Sequence, residues 1–377
     1  MKLARQNRFG VRSLLAAAAT SAMLASSVTA LTGHFDAYQD PNYNFGIYAG
    51  PIGNEGVGAW TLGGNLLTRG NGYINEFSLN PTGLHQGTAV HPVVTTHFVP
   101  GLDSGAGITN GTDGYLYTVG GNGIMQVNPN NWAAPAVYMP NTVSTPGYGI
   151  NTLPNGKIVY TDSGSNSNVY LYDVGGGTNT LIHTASTLID DIETGPAGQI
   201  ALAGQGDKSI TVLSSTGSVI SQTVNLPHYP DGLAFGAGSF SNSIYANNND
   251  GSITRYDYAG PNFTGAVTPV DIALTQNGHH GYGDLATVGP DCAFYIGTFA
   301  NQPIHGADAN IATNWDNGVT NNENSIVRIG FNDLPGPDGL PSGECAFYSL
   351  IGTLVPEPAS LSLLMFGAIP LLRRHRK

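Results

Sequence analysis

Between residues 107 and 257 the chain alternates short runs of apolar and polar residues, broken by glycine-containing turns. Four stretches share one frame: an aliphatic anchor, a polar turn, a β-rich run, a second polar turn and another β-rich run. In the first, Ile108 precedes Asp113-Gly114-Tyr115-Leu116-Tyr117 and Ile124–Val127. In the second, Ile150 precedes Asn155–Tyr160 and Val169–Asp173. Ile192 and Leu233 open the third and fourth, so the anchors lie 42, 42 and 41 residues apart. A fifth copy starts at Asp284-Leu285, its later strand displaced to Ile326–Ile329 by the polar insertion Phe299–Asn324; a weaker one runs from Trp60 to Phe77. Alternation with period two, rich in Val, Ile, Thr and Tyr and bounded by Asp-Gly or Asn-Gly, predicts antiparallel strands and tight hairpins.

A repeat near 42 residues has room for four short strands and too few helix formers for a helical unit, which is the signature of a propeller blade. The expected fold is therefore an all-β β-propeller with six blades, seven being the alternative. Residues 340–351 are expected to complete the ring by pairing with strands near His34–Tyr38. Composition agrees. Of 377 residues 52 are glycine, and 41% are hydrophobic. The chain can build a core, and its abundant Gly, Asn, Ser, Thr and Pro disfavour helix interiors.

Charge separates the ends from the middle. Residues 31–354 hold 24 acidic residues against Arg69, Lys157, Lys208, Arg255 and Arg328. Such a body repels nucleic acid backbones, and no nucleic-acid partner is expected. Residues 1–30 read as a signal peptide: a basic stretch to Arg12, a soft apolar run Leu14–Ala25, and small residues ending at Val28-Thr29-Ala30. The run is short of the roughly 20 residues that a spanning anchor needs. Residues 355–377 combine Pro356-Glu357-Pro358, the apolar segment Leu361–Leu372 and the basic cluster Arg373-Arg374-His375-Arg376-Lys377, in the pattern of a membrane-inserting tail with a cytoplasmic positive stop. This arrangement resembles the PEP-CTERM sorting signal of Gram-negative bacteria. The resemblance implies recognition by an exosortase, transient insertion in the inner membrane, cleavage near the Pro-Glu-Pro motif, and delivery to the cell surface or extracellular matrix; a plain C-terminal anchor is the alternative. Cys292 and Cys345, each followed by Ala-Phe-Tyr, are the only cysteines, and export permits a disulfide between them; two buried thiols are the other reading.

The body resembles the NHL-repeat and gluconolactonase-like six-bladed propellers, most specifically at Tyr229-Pro230-Asp231-Gly232-Leu233-Ala234-Phe235. The resemblance implies a carboxylate metal site at the channel mouth, with Asp231 as ligand and general base and with Asp190 and Glu55 as further ligands. Carboxylate oxygens suit Ca²⁺. Spacing adds that Asp190 and Asp231 each stand two residues before an anchor, hence at one height on adjacent blades, where Tyr148 and Ala106 occupy the preceding positions. The alternative for both aspartates is a turn residue bonding its own backbone. The nucleophile elbow, the zincin motif, the P-loop and the EF-hand loop are all absent. His85, His91, His97 and His279-His280 fit no tight ligand spacing and are expected in exposed loops. The strand tyrosines are expected in inter-blade packing. Together these features point first to an exported binding module for a protein or polysaccharide, and second to a Ca²⁺-dependent lactonase.

Overall fold

The computed structural model describes residues 38–52, 56–77, 94–274, 282–299, 324–331 and 347–348. Six antiparallel sheets stand around one axis. Their innermost strands are Gly56–Trp60, Ile108–Asn110, Pro146–Thr152, Ile189–Thr194, Pro230–Gly236 and Tyr282–Val288, in blades 1 to 6, and each contacts the next around a closed ring. The blade count is six. In blades 2, 3 and 4 the first hairpin turns on a glycine at positive φ. Gly114, Gly156 and Gly198 stand at φ 84°, 82° and 80°, and the same spacing of 42 brings each turn to the same end of its blade.

Ring closure differs from the sequence-based expectation. The strand Tyr43–Ile52 becomes the outermost strand of blade 6, pairing Tyr43 with Phe331 and Ile52 with Asn324. Among the described residues the first and last segments do not pair with each other. Tyr38–Gln39 adds to the outer edge of blade 5, whereas Phe347–Tyr348 adds to its inner edge. Blade 6 takes three strands from the later part of the chain, Tyr282–Val288, Phe294–Phe299 and Asn324–Phe331, and the ten-residue strand Tyr43–Ile52 completes it with far more ladder bonds than a two-residue pairing would supply.

Six apolar clusters fill the six spaces between neighbouring blades. Tyr117, Tyr160, Tyr172, Tyr245 and Tyr295 are all fully buried in these clusters or on their margins, as expected, while Tyr115 stays exposed. Nearer the axis the contact is backbone to backbone. A Cβ on Gly58 would fall on the carbonyl oxygen of Ile108, and one on Gly107 on that of Tyr148; one on Gly149 would lie 2.7 Å from the nitrogen of Ile192. Gly107 also donates its N–H to the carbonyl of Tyr148, 3.1 Å away in the next blade. Two residues beyond the anchors a belt of side-chain hydrogen bonds fixes the relative height of the blades. Asn110 receives the Trp60 N–H at 2.9 Å and donates to the Trp60 carbonyl at 2.8 Å. Thr152 donates to the Asn110 carbonyl at 2.7 Å, and Thr194 to the Thr152 carbonyl at 3.0 Å.

Overpacking of this kind costs about 1–3 kcal/mol. Gly107→Ala is therefore expected to lower the unfolding free energy by that amount and the denaturant midpoint with it, whereas Gly175→Ala, whose nearest neighbour would lie 3.6 Å away, should leave that free energy within about 0.5 kcal/mol. Equal midpoints for the two variants would remove the inter-blade contact as the determinant.

Candidate functional site

At the end of the ring where the innermost strands begin lies a cavity of about 620 Å³. Its wall runs from Gly56 through Gly105-Ala106 and Gly147-Tyr148 to Asp190 and Asp231, with Gln205 and Asn249 behind the two carboxylates. Glycine forms much of this wall, so the backbone itself meets the cavity. A register shift opens five of the six innermost strands, between Val57 and Ala59, Pro146 and Ile150, Ile189 and Ile192, Pro230 and Gly232, and Gly283 and Ala286. Bulges of this kind re-aim side chains at the rim of a sheet. They turn Tyr148, Asp190 and Asp231 toward the mouth.

Asp190 and Asp231 are the second residues of their strands and belong to the cavity wall, not to turns. One neutral amide joins them: Gln205 Nε2 donates to Asp190 Oδ2 at 2.7 Å and to Asp231 Oδ2 at 3.2 Å. Burial raises the Asp190 carboxyl above its ordinary range, and its hydrogen bond with Asp231 opposes that rise. Just below, Glu193 is raised well above its usual value, first by burial and then by the charge of Asp191. Asp191 accepts the N–H of Leu233 at 2.9 Å and so ties blade 4 to blade 5.

Glu55 lies outside the described residues, as do Cys345, Pro356, Glu357, Pro358, His85, His91, His279 and His280. Among the described residues no three metal-ligating side chains come together. Ca²⁺ takes six to eight oxygens. The described residues offer two carboxylates, and an amide nitrogen occupies the place between them, so by themselves they do not make a Ca²⁺ shell. His97 is not a loop residue. It sits in the outermost strand of blade 1, stacked on Trp132 at 4.1 Å and bonded to Glu76 at 2.8 Å. Cys292 is disulfide-bonded, and the sequence contains only one other cysteine, Cys345.

Gln205 and Asn249 were not singled out by the anchor frame because they come from the hairpins between second and third strands. Their signal is the same period. Ser163, Gln205 and Asn249 each donate a backbone N–H to the connector entering their own blade, at Thr145, Leu188 and Tyr229. Beside Tyr229, His228 stands between two carboxylates, with Nδ1 2.6 Å from Asp250 and Nε2 3.5 Å from Asp271. Lys208 is close by, 4.2 Å over the Tyr229 ring.

No known family model matches the chain. No curated protein is similar to it in sequence. Solved structures do share its fold. A regucalcin from Agrobacterium tumefaciens, described as a calcium-binding protein, superposes with a TM-score of 0.52 at 14% identity, covering 75% of this chain and 91% of its own. The PQQ-bound aldose sugar dehydrogenase of Streptomyces coelicolor gives 0.51 at 11% identity over 78% and 99%. Virginiamycin B lyase from Staphylococcus aureus gives 0.50 at 14% over 76% and 99%. These likenesses establish the propeller fold.

The hydrogen bond to Asp250 raises the His228 pKa above 6.5; burial and Lys208 oppose the rise, while the charges of Asp250 and Asp271 add to it. The protonated ring therefore stabilises the fold fully below about pH 6.5, and that contribution is lost as pH rises through the elevated folded value. Asp250 behaves in the opposite sense. Burial opposes its ionisation, but bonds from His228 and Ser252 hold it down to about 2, so its contribution is lost only as pH falls toward that value. Melting temperatures measured from pH 6 upward should fall for the natural protein and fall less for His228→Gln. Parallel curves would show that His228 carries no such linkage.

Proposed function

We propose that the protein is an exported propeller that binds a hydroxyl-rich ligand, a saccharide of the cell surface or matrix, in the cavity at its channel mouth. The observation that carries this reading is the Asp190–Gln205–Asp231 array beside the Tyr148 ring, which is 52% exposed in the wall of the same cavity. Sugars present hydroxyl donors at their edges and C–H surface on their faces. Carboxylates accept from the first in charge-assisted bonds, and an exposed aromatic ring covers the second. Gln205 and Asn249 supply paired donor and acceptor groups. Export rests on residues 1–30 and on the Pro356-Glu357-Pro358 tail, with exosortase as the processing partner.

A second reading keeps the same carboxylates as part of a Ca²⁺-dependent lactonase. What favours it is that Gly56, the residue after Glu55, belongs to the same cavity wall as Asp190 and Asp231. It requires Glu55 to complete the ligand set.

One titration separates the two. With a panel of neutral oligosaccharides and lactones, calorimetry is expected to show saccharide binding that a chelator leaves unchanged. Asp190→Asn, which keeps the shape but removes the charge, should weaken that binding about 10- to 100-fold, the worth of one charged hydrogen bond. Binding or lactone turnover abolished by chelation would favour the second reading, and no saccharide binding at all would end the first. Export has its own check. Intact mass of the extracellular form should show loss of about residues 1–30 and of the tail beyond Pro356; retention of Arg373–Lys377 would exclude exosortase processing.

A further inference from the structure

We propose that the saccharide held at the mouth is an amino sugar, a hexosamine whose unacetylated, positively charged amine is received by the Asp190 and Asp231 carboxylates. The inference rests on the saccharide reading above and narrows its ligand from hydroxyl-rich to cationic.

A nitrogen donor already shows how such a group would be met. Gln205 Nε2 donates to Asp190 Oδ2 at 2.7 Å and to Asp231 Oδ2 at 3.2 Å, so one nitrogen reaches both carboxylates. A primary ammonium is a compact nitrogen with three N–H donors, and an ionised carboxylate accepts at about four sites. The bond from Gln205 therefore leaves Asp190 room for a second donor arriving from the cavity. The same pair that is too small for Ca²⁺, which takes six to eight oxygens, is enough for an amine.

The charge balance of the cavity points the same way. Among the described residues its wall holds no basic side chain; the other polar side chains there, Asn71, Ser104, Tyr148, Gln205 and Asn249, are neutral. Basic groups nearby are engaged elsewhere. Arg69, fully buried behind Gly105, donates to Thr118 Oγ1 at 2.8 Å and to the Asp103 carbonyl at 2.6 Å, and lies 3.6 Å from the Asp103 carboxylate. His228 stands between Asp250 and Asp271, and Lys208 covers the Tyr229 ring. Burial raises the Asp190 carboxyl and Asp231 opposes the rise, with no contribution from a basic side chain among the described residues. A cationic amine in the cavity brings an opposite charge to carboxylates partly removed from water, where the attraction is about fourfold that in bulk solvent. The volume of about 620 Å³ is that of a small-molecule site. The half-exposed Tyr148 ring can cover a sugar face or lie against the cation.

The test compares three β-1,4-linked trimers that differ only at the second carbon of each ring: the glucosamine trimer, its fully N-acetylated form, and cellotriose. Calorimetry is run with a chelator present at about pH 6, below the roughly 8 of an α-amino group, so that the free amine is charged. The glucosamine trimer is expected to bind about tenfold more tightly than either of the others, the margin of a charged over a neutral hydrogen bond. Asp190→Asn should remove most of that preference. Asp173→Asn, which takes the same charge from an ion pair away from the cavity wall, should leave it unchanged. Should Asp190→Asn fail to fold, Asp231→Asn takes its place, and the comparison of trimers on the natural protein still decides. Equal affinities for the glucosamine trimer and cellotriose, or a preference that Asp190→Asn leaves intact, overturn the amine, while binding of cellotriose upholds the saccharide reading. Binding of none of the three overturns both.

Discussion

Everything in this fold depends on how closely six innermost strands can approach one axis. Side chains on both would hold two neighbouring strands apart. Gly58, Gly107 and Gly149 remove that obstacle, so one blade's backbone lies directly against the next, close enough for Gly107 to hydrogen-bond across the gap. With the strands in contact, their relative height is no longer free. The belt through Trp60, Asn110, Thr152 and Thr194 fixes it, because each side-chain donor meets one backbone carbonyl of the neighbouring blade. A slip of one residue would leave these buried groups unsatisfied, at about 1–3 kcal/mol each. The apolar clusters outside the belt hold the blades together, but they are less selective about register than the polar groups within it.

The cavity follows from that fixed height. Because Asp190 and Asp231 occupy equivalent positions on adjacent blades, the bulges that open their strands deliver both carboxyls to one place. Bringing like charges together in a partly buried site is costly, and the group that bridges them is a neutral amide instead of a cation. Burial raises the Asp190 carboxyl, and its hydrogen bond with Asp231 works against that rise. Away from the mouth and the Asp191–Glu193 pair beneath it, carboxylates are compensated: Asp173, Asp257 and Asp291 each face a basic side chain. The mouth is where the protein tolerates electrostatic strain, a pattern associated with binding and catalytic sites.

The sequence revealed what repeats and concealed what does not. Anchors 42, 42 and 41 residues apart marked the blades and placed Asp190 and Asp231 together, since equivalence in the repeat is equivalence in space. Ring closure was not legible, because Tyr43–Ile52 pairs with Asn324–Phe331 across nearly the whole chain and carries no periodic mark. Gln205 was legible only in part. It recurs on the period of Ser163 and Asn249, but those three residue types differ, so nothing in composition pointed to them. His97 could not be placed from spacing alone, because its environment comes from Trp132 in the next blade.

The site arises where the ring stops being symmetric. One residue beyond the anchors the blades carry Ala59, Thr109, Asn151, Glu193, Ala234 and Ala286 in order. Three consecutive blades have become polar there and three have stayed small and apolar. Glu193, bonded to Asn151 and raised well above its usual range, adds a buried carboxyl that favours its neutral form below the charged mouth. The same bias appears two residues before the anchors, where Gly56, Ala106 and Gly283 contrast with Tyr148, Asp190 and Asp231. Packing alone would favour identical blades, because each of the six interfaces poses the same problem. Polarity gathered on blades 3 to 5 at the mouth, and on blades 2 to 4 beneath it, is therefore not explained by the fold. A directional cavity, with carboxylates on one side and bare backbone on the other, suits a ligand held in one orientation.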